Sequence, residues 1–314
     1  VLIALLTALL AMAATAAALE PPVVSPVPFG LFAPSDMSWT LGASMSPDAR
    51  TVYFTKSEPG LAGATIFVSR LVFGTWSSPN VAPFSGRYGD GDPVVSRDGN
   101  AVIFTSHRPP LGSDASSALY EAFLGGPRAG AVVPLPNSAN ALGSETSPSI
   151  AADGTLYFAL NAKGVRRIYH VASASEASIA ATLVALPGDT DGVVDRDVAV
   201  DPAQKFVVFS SIRPNGLGSF DLYVAFRSGD HWCTPLPLPA PVNSASSEIA
   251  PSLSRDGGTL YFSSNRNDLV QPAASPMDAA AFASALARYQ DGTLRLYSAN
   301  IGPWTKSSSK GQAC

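Results

Sequence analysis

The chain has 314 residues, 46% hydrophobic and only 14% charged, so a sizeable core lies under a surface covered mostly by Ser, Thr, Asn, Pro and Gly. A net charge of −4 supplies no basic field for phosphate backbones, which excludes nucleic acid as an expected partner. The 27 Pro and 26 Gly fall below low-complexity density and point to many turns between short strands.

The uncharged run at 1–18, VLIALLTALLAMAATAAA, reads as a secretory signal peptide with Ala16-Ala17-Ala18 as its cleavage motif. An uncleaved anchor is the competing reading. No later segment is long and apolar enough to span a bilayer, so the mature chain is expected without a transmembrane segment and in the periplasm or medium. A Pro-rich segment occupies 19–35. Within it, Val27–Ala33 sits where an outer strand would precede the first repeat and could close a ring.

From residue 36 the chain is self-similar. The segments SMSPDARTVYF (44–54), VVSRDGNAVIF (94–104), SIAADGTLYF (149–158), AVDPAQKFVVF (199–209) and SLSRDGGTLYF (252–262) close on Phe54, Phe104, Phe158, Phe209 and Phe262. A period near 50 residues marks repeated supersecondary units. Each unit reads as four strands: a small-polar strand A, an Asp-Gly turn, an apolar strand B ending in Phe, an aromatic-bearing strand C, and a strand D entered at Trp76, Trp232 or Trp304 in three units. The expectation is an all-β propeller of four-stranded antiparallel blades. Five are placed at about 36–89, 90–144, 145–194, 195–247 and 248–314, and a sixth, degenerate blade is the alternative. Either Val27–Ala33 or the chain from Trp304 onward supplies the last outer strand.

The pattern resembles the WD40-like (PD-type) propeller repeat of TolB-type periplasmic proteins, most closely at EIAPSLSRDGGTLYFSSNR (248–266) and FSSIRPNGLGSFDLYVA (209–225). That resemblance implies the propeller fold and use in protein–protein contact.

Four acids precede the turns: Asp90, Glu145, Asp195 and Glu248, with Thr40 in the first unit. Converging at a channel mouth, they could bind a cation or a sugar, or act as acid and base. The structural reading pairs them with Arg108, Arg213 and Arg266. In blades 2, 4 and 5 acid and Arg are each nine residues from Gly99, Gln204 or Gly257, so a hairpin about those points sets them directly across from each other. Glu145 has Ala162 at the matching position and is the preferred ligand contact. The run Asp189-Thr190-Asp191-Gly192 reads as a solvated loop before a calcium site.

The last unit carries an insertion at 267–292 that reads as a helix with Ser275 as N-cap, Pro276 at N1 and Asp278 in a capping box. Phe282, Leu286 and Tyr289 share one face, which either packs on the propeller or receives a partner. Cys233 and Cys314 either form a disulfide or remain thiols. No nucleophile motif or metal-ligand spacing is present, so no metal and no cofactor are expected. The expected function is an exported, non-catalytic scaffold binding a protein or envelope polymer; the alternative is a carbohydrate-binding or glycoside-hydrolase-like propeller using channel carboxylates.

Overall fold

The five Phe-terminated runs become the second strands of five antiparallel sheets in a computed structural model. It describes residues 26–29, 38–61, 63–109, 115–140, 143–173, 180–190, 192–267, 276–286, 290–308 and 314. The signal-peptide segment, Asp191, Ser275 and Tyr289 lie outside the described residues. Strand β1 (Val27–Pro28) belongs to the last sheet. Blade 1 is β2 (Trp39–Met45), β3 (Thr51–Ser57) and β4 (Thr65–Val72), with β5 (Thr75–Trp76) and β6 (Asn80–Val81) both on β4. Blade 2 orders β7 (Asp90–Val95), β8 (Ala101–Ser106), β9 (Ala118–Phe123) and β10 (Val132–Pro134), followed by α1 (Asn137–Asn140). Blade 3 is β11 (Ser144–Ile150), β12 (Leu156–Ala162), β13 (Val165–Val171) and β14 (Thr182–Leu183). Blade 4 is β15 (Asp195–Val200), β16 (Phe206–Ser211) and β17 (Asp221–Ser228), flanked by β18 (His231–Trp232) and β19 (Leu236–Pro237). Blade 5 contains β20 (Glu248–Leu253), β21 (Thr259–Ser264), the inserted α2 (Ala279–Leu286) and β22 (Arg295–Asn300), before α3 (Gly302–Ser308).

One cross-strand ring pair recurs in every blade. Phe54–Phe67, Phe104–Tyr120, Phe158–Tyr169, Phe209–Tyr223 and Phe262–Tyr297 are direct register partners with centroids 5.9–6.4 Å apart. Such pairs add to sheet stability beyond the area they bury. The core consists of layers between neighbouring blades. Phe206 and Val208 of blade 4 pack with Leu260 and Tyr297 of blade 5, and Phe54 of blade 1 packs with Leu296.

The A–B turns share one backbone shape. Ala49, Gly99, Gly154, Gln204 and Gly257 all have φ between 55° and 91°, although only three are glycine. Ser46, Ser96 and Ser254 each donate to the turn aspartate two residues on, at 2.5–2.6 Å. Blades 1 and 4 thus keep the turn without its Gly.

The ring closes from the N-terminal side. β1 pairs with β22 (Val27 opposite Ser298), and Phe29 lies edge-on to Tyr261 of blade 5 and tilted against Trp76 of blade 1. Trp304 does not enter a strand, which corrects the expectation above. It sits in α3, buried against Phe226, and Cys233 and Cys314 form a disulfide. The inserted helix starts later than the capping pattern implies. Asp278 is itself the N-cap, accepting from Ala281 N at 2.7 Å, because Asp caps the free amides directly once Pro276 stays outside the helix. Phe282 and Leu286 fall within α2.

Candidate functional site

Every innermost strand breaks register at one place, between Leu41/Ala43, Gly91/Val94, Thr146/Ser149, Arg196/Val198 and Ile249/Ser252. The bulge residues Gly42, Asp92, Ser147, Asp197 and Ala250 all have φ of 45–52°. A bulge re-aims its side chain, and here all five border the channel on the propeller axis. Amides at this waist are held by the preceding blade. Asp92 N donates to Thr55 Oγ1 (2.9 Å), Ser147 N to Thr105 Oγ1 (3.1 Å) and Ala250 N to Asp197 Oδ2 (3.2 Å). Above the waist opens a funnel of about 820 Å³, lined among others by Tyr88, His107, Asn161, Arg166 and Arg196. Below it is a narrower chamber of about 100 Å³ lined by Met45, Val94, Ile150 and Leu253.

Two carboxylates meet at the waist across one hydroxyl. Ser147 Oγ lies 3.1 Å from Asp92 Oδ2 and 3.0 Å from Asp197 Oδ1. The two acid oxygens are therefore no more than about 6 Å apart, within the close spacing of paired-carboxylate hydrolases. A hydroxyl carries a single proton and can donate to one acid only, so the arrangement favours a second proton on the other. The surroundings choose which. Burial raises Asp92 above the usual carboxylate value, and the neighbouring Asp197 charge adds to that, with Arg196, Ser147 and Thr105 opposing. Burial also works against ionisation of Asp197. Arg196 (Nε at 2.8 Å), Ser210 Oγ (2.8 Å) and the Ala250 amide outweigh it, and its value is lowered. One acid is held toward the neutral form and one toward the charged form, a division that assigns acid and base roles.

The four acids singled out from the sequence are all fully buried. Asp90 meets Arg108 Nη2 at 2.9 Å, Asp195 meets Arg213 Nη2 at 2.5 Å, and Glu248 meets Arg266 Nη2 at 3.4 Å. The register differs from the expected one. The residues across from the acids are Ser106, Ser211 and Ser264, whose hydroxyls donate to them at 2.6–2.7 Å. One residue of the shift arises at the turn, where Val95 already faces Val102 rather than Ile103, and one at the bulge, which sets two residues against one; each Arg thus lies two positions further on and folds back over its Ser. Each guanidinium also donates to the loop before its acid, at Phe84 O, Pro187 O or Val242 O. Glu145, the preferred ligand contact, is buried and accepts from Gly143 N at 3.1 Å, without a face on the funnel. Asp189 is ion-paired to Arg213 and Arg167. Among the described residues no group of three or more His, Cys, Asp or Glu is placed to hold a metal ion.

Sequence reasoning passed over both Asp92 and Asp197 as site residues. A signal was present: Asp92, Ser147 and Ala250 each precede a proline inside strand A, and proline within a strand marks a bulge.

No family model matches the chain, and no curated protein sequence is significantly similar. Solved structures do share its shape. A thermostable family-43 glycoside hydrolase aligns at TM-score 0.51 and 12% identity, over 84% of this chain and 89% of that one. A gluconolactonase from Xanthomonas campestris aligns at 0.49 and 15%, over 88% and 87%. TolB from Acinetobacter baumannii aligns at 0.49 and 16%, over 84% of this chain but only 55% of that one. The fold is a five-bladed β-propeller. At such identities the likeness speaks to architecture alone. The expectation of a non-catalytic scaffold is nevertheless corrected: it rested on the repeat alone, and the same architecture is also that of a glycoside hydrolase.

Proposed function

We propose that this chain is an exported carbohydrate-active hydrolase, cleaving a glycosidic bond of an envelope polymer at the floor of the funnel. Its repeats are of the WD40-like PD type, on the strength of residues 209–225 and 248–266. The observation that carries the reading is the Asp92–Ser147–Asp197 bridge, with two acids of opposite tendency under a cavity large enough for a short glycan. Asp92, held toward its neutral form, protonates the leaving oxygen. Asp197, held ionised by Arg196, bonds to the anomeric carbon as the glycosidic bond breaks, and water, giving its proton to the now-ionised Asp92, then cleaves that ester and restores both acids. The close carboxylate spacing favours retention at that carbon.

Release of reducing sugar from a polysaccharide and aryl-glycoside panel tests this, with Asp92→Asn and Asp197→Asn alongside the wild type. Activity should fall at least about a thousandfold in each variant with unchanged far-UV circular dichroism. Wild-type inactivity across the panel, or retained activity in both variants, refutes it.

A further inference from the structure

Arg166 is the unusual cation of the funnel. It is the second residue of β13, across from Asn161 and next to the tight turn at Lys163-Gly164, and it borders the cavity together with Arg196. The other buried charges here have partners: Asp90 is matched by Arg108, and Asp197 by Arg196. The Arg166 guanidinium makes no hydrogen bond or ion pair with any described residue. It is half-buried beside a second guanidinium; burial and the Arg196 charge disfavour its protonated form, and the Asp197 and Asp92 charges at the waist oppose them without an ion pair or hydrogen bond to it.

A half-buried guanidinium with no hydrogen-bonded partner leaves its fork of donors open, and a planar carboxylate is the group that best matches that fork. We propose that the funnel selects a sugar bearing a carboxylate, a uronic acid residue, with Arg166 as the group that receives it. This deepens the hydrolase reading and rests on it for the sugar, while the Arg166 assignment rests on charge and geometry alone. Arg166 is a specificity residue, set apart from the reacting pair.

The test is calorimetric binding to the full chain carrying Asp92→Asn, so that no turnover intrudes. The probes are tri-galacturonate and tri-glucuronate against their neutral galactose and glucose counterparts. At least one uronate should bind ten times or more tighter than its neutral counterpart, and Arg166→Gln should cut that ratio to within twofold. The control variant Arg128→Gln, at a cation stacked on Phe123 outside the funnel, should leave it within threefold of the parent. Equal binding of acidic and neutral sugars, a preference that survives Arg166→Gln, absence of binding by all four, or tighter binding of a sulfated trisaccharide each overturns the proposal. Uronate binding lost with Arg166 but without hydrolysis by the wild type refutes the proposed reaction and leaves the Arg166 assignment standing.

Discussion

Arg213→Met separates a structural ion pair from a dispensable one. Arg213 reaches Asp195 through Nε (3.0 Å) and Nη2 (2.5 Å), donates to Pro187 O at 2.9 Å, and also binds Asp189. Asp195 is wholly buried and would keep only the Ser211 hydroxyl at 2.7 Å. Stranding a buried charge this way costs about 3–5 kcal/mol. In a domain this large that lowers the melting temperature by about 6–10 °C. Arg266→Met is the internal comparison. Its Glu248 contact is longer, at 3.4 Å, and Glu248 keeps donors from Ser244 Oγ (2.6 Å), Ser244 N (2.9 Å) and Ser264 Oγ (2.7 Å). Its loss should cost about 1–2 kcal/mol. Adding Asp195→Asn to Arg213→Met should recover part of the stability, since the amide need not be neutralised. Thermal and urea melts read all three. If Arg213→Met costs no more than Arg266→Met, or if Asp195→Asn worsens it further, the stranded-charge reasoning is wrong.

Three further outcomes are expected. Asp92 has a raised value in the fold, so the stability linked to it is complete below about pH 4 and lost as pH rises through that value; Asp92→Asn should leave the melting temperature nearly unchanged at pH 4 and raise it at pH 8, and a fall at both would contradict the burial argument. Asp98 is held down to about 2 by Ser96 and Asn100, so its contribution is present above about pH 4 and fades as pH falls toward 2; Asp98→Asn should flatten that acid limb in a pH series of melts. Reducing the Cys233–Cys314 bridge, which closes a span of 81 residues, should cost about 4 kcal/mol, and alkylation should add mass only after reduction. Melting unchanged by reductant would refute the last.

The repeat was legible because its marks are side chains with fixed jobs. The five Phe residues stack on strand-C rings, and the turn aspartates accept from neighbouring serines. The waist was not legible because backbone conformation repeats there and chemistry does not: Gly42, Asp92, Ser147, Asp197 and Ala250 share one φ and almost no side-chain character. Pairing by symmetric counting also went astray, by one residue at the turn and one at the bulge, which together moved Ser106, Ser211 and Ser264 opposite the acids. Asp92 and Asp197 come together only through the stacking of blades about one axis, since they lie in blades 2 and 4 and meet across Ser147 of blade 3. The Trp304 segment looked like its two repeat counterparts but had β1 already in the outer position of its sheet, leaving Trp304 free to turn into a helix.

The seam at β1 has a temporal meaning. Val27 pairs with Ser298, so the earliest strand of the ring waits about 270 residues for its partner, a contact of the longest range the fold contains. During synthesis the first four blades can stack as an open arc, with strand edges exposed at both ends, while β1 trails unpaired. Only when β22 emerges does the arc become a circle. The paired acids and Arg166, all in blades 2 to 4, can be drawn together earlier, and the final act of folding is the sealing of blade 1 against blade 5.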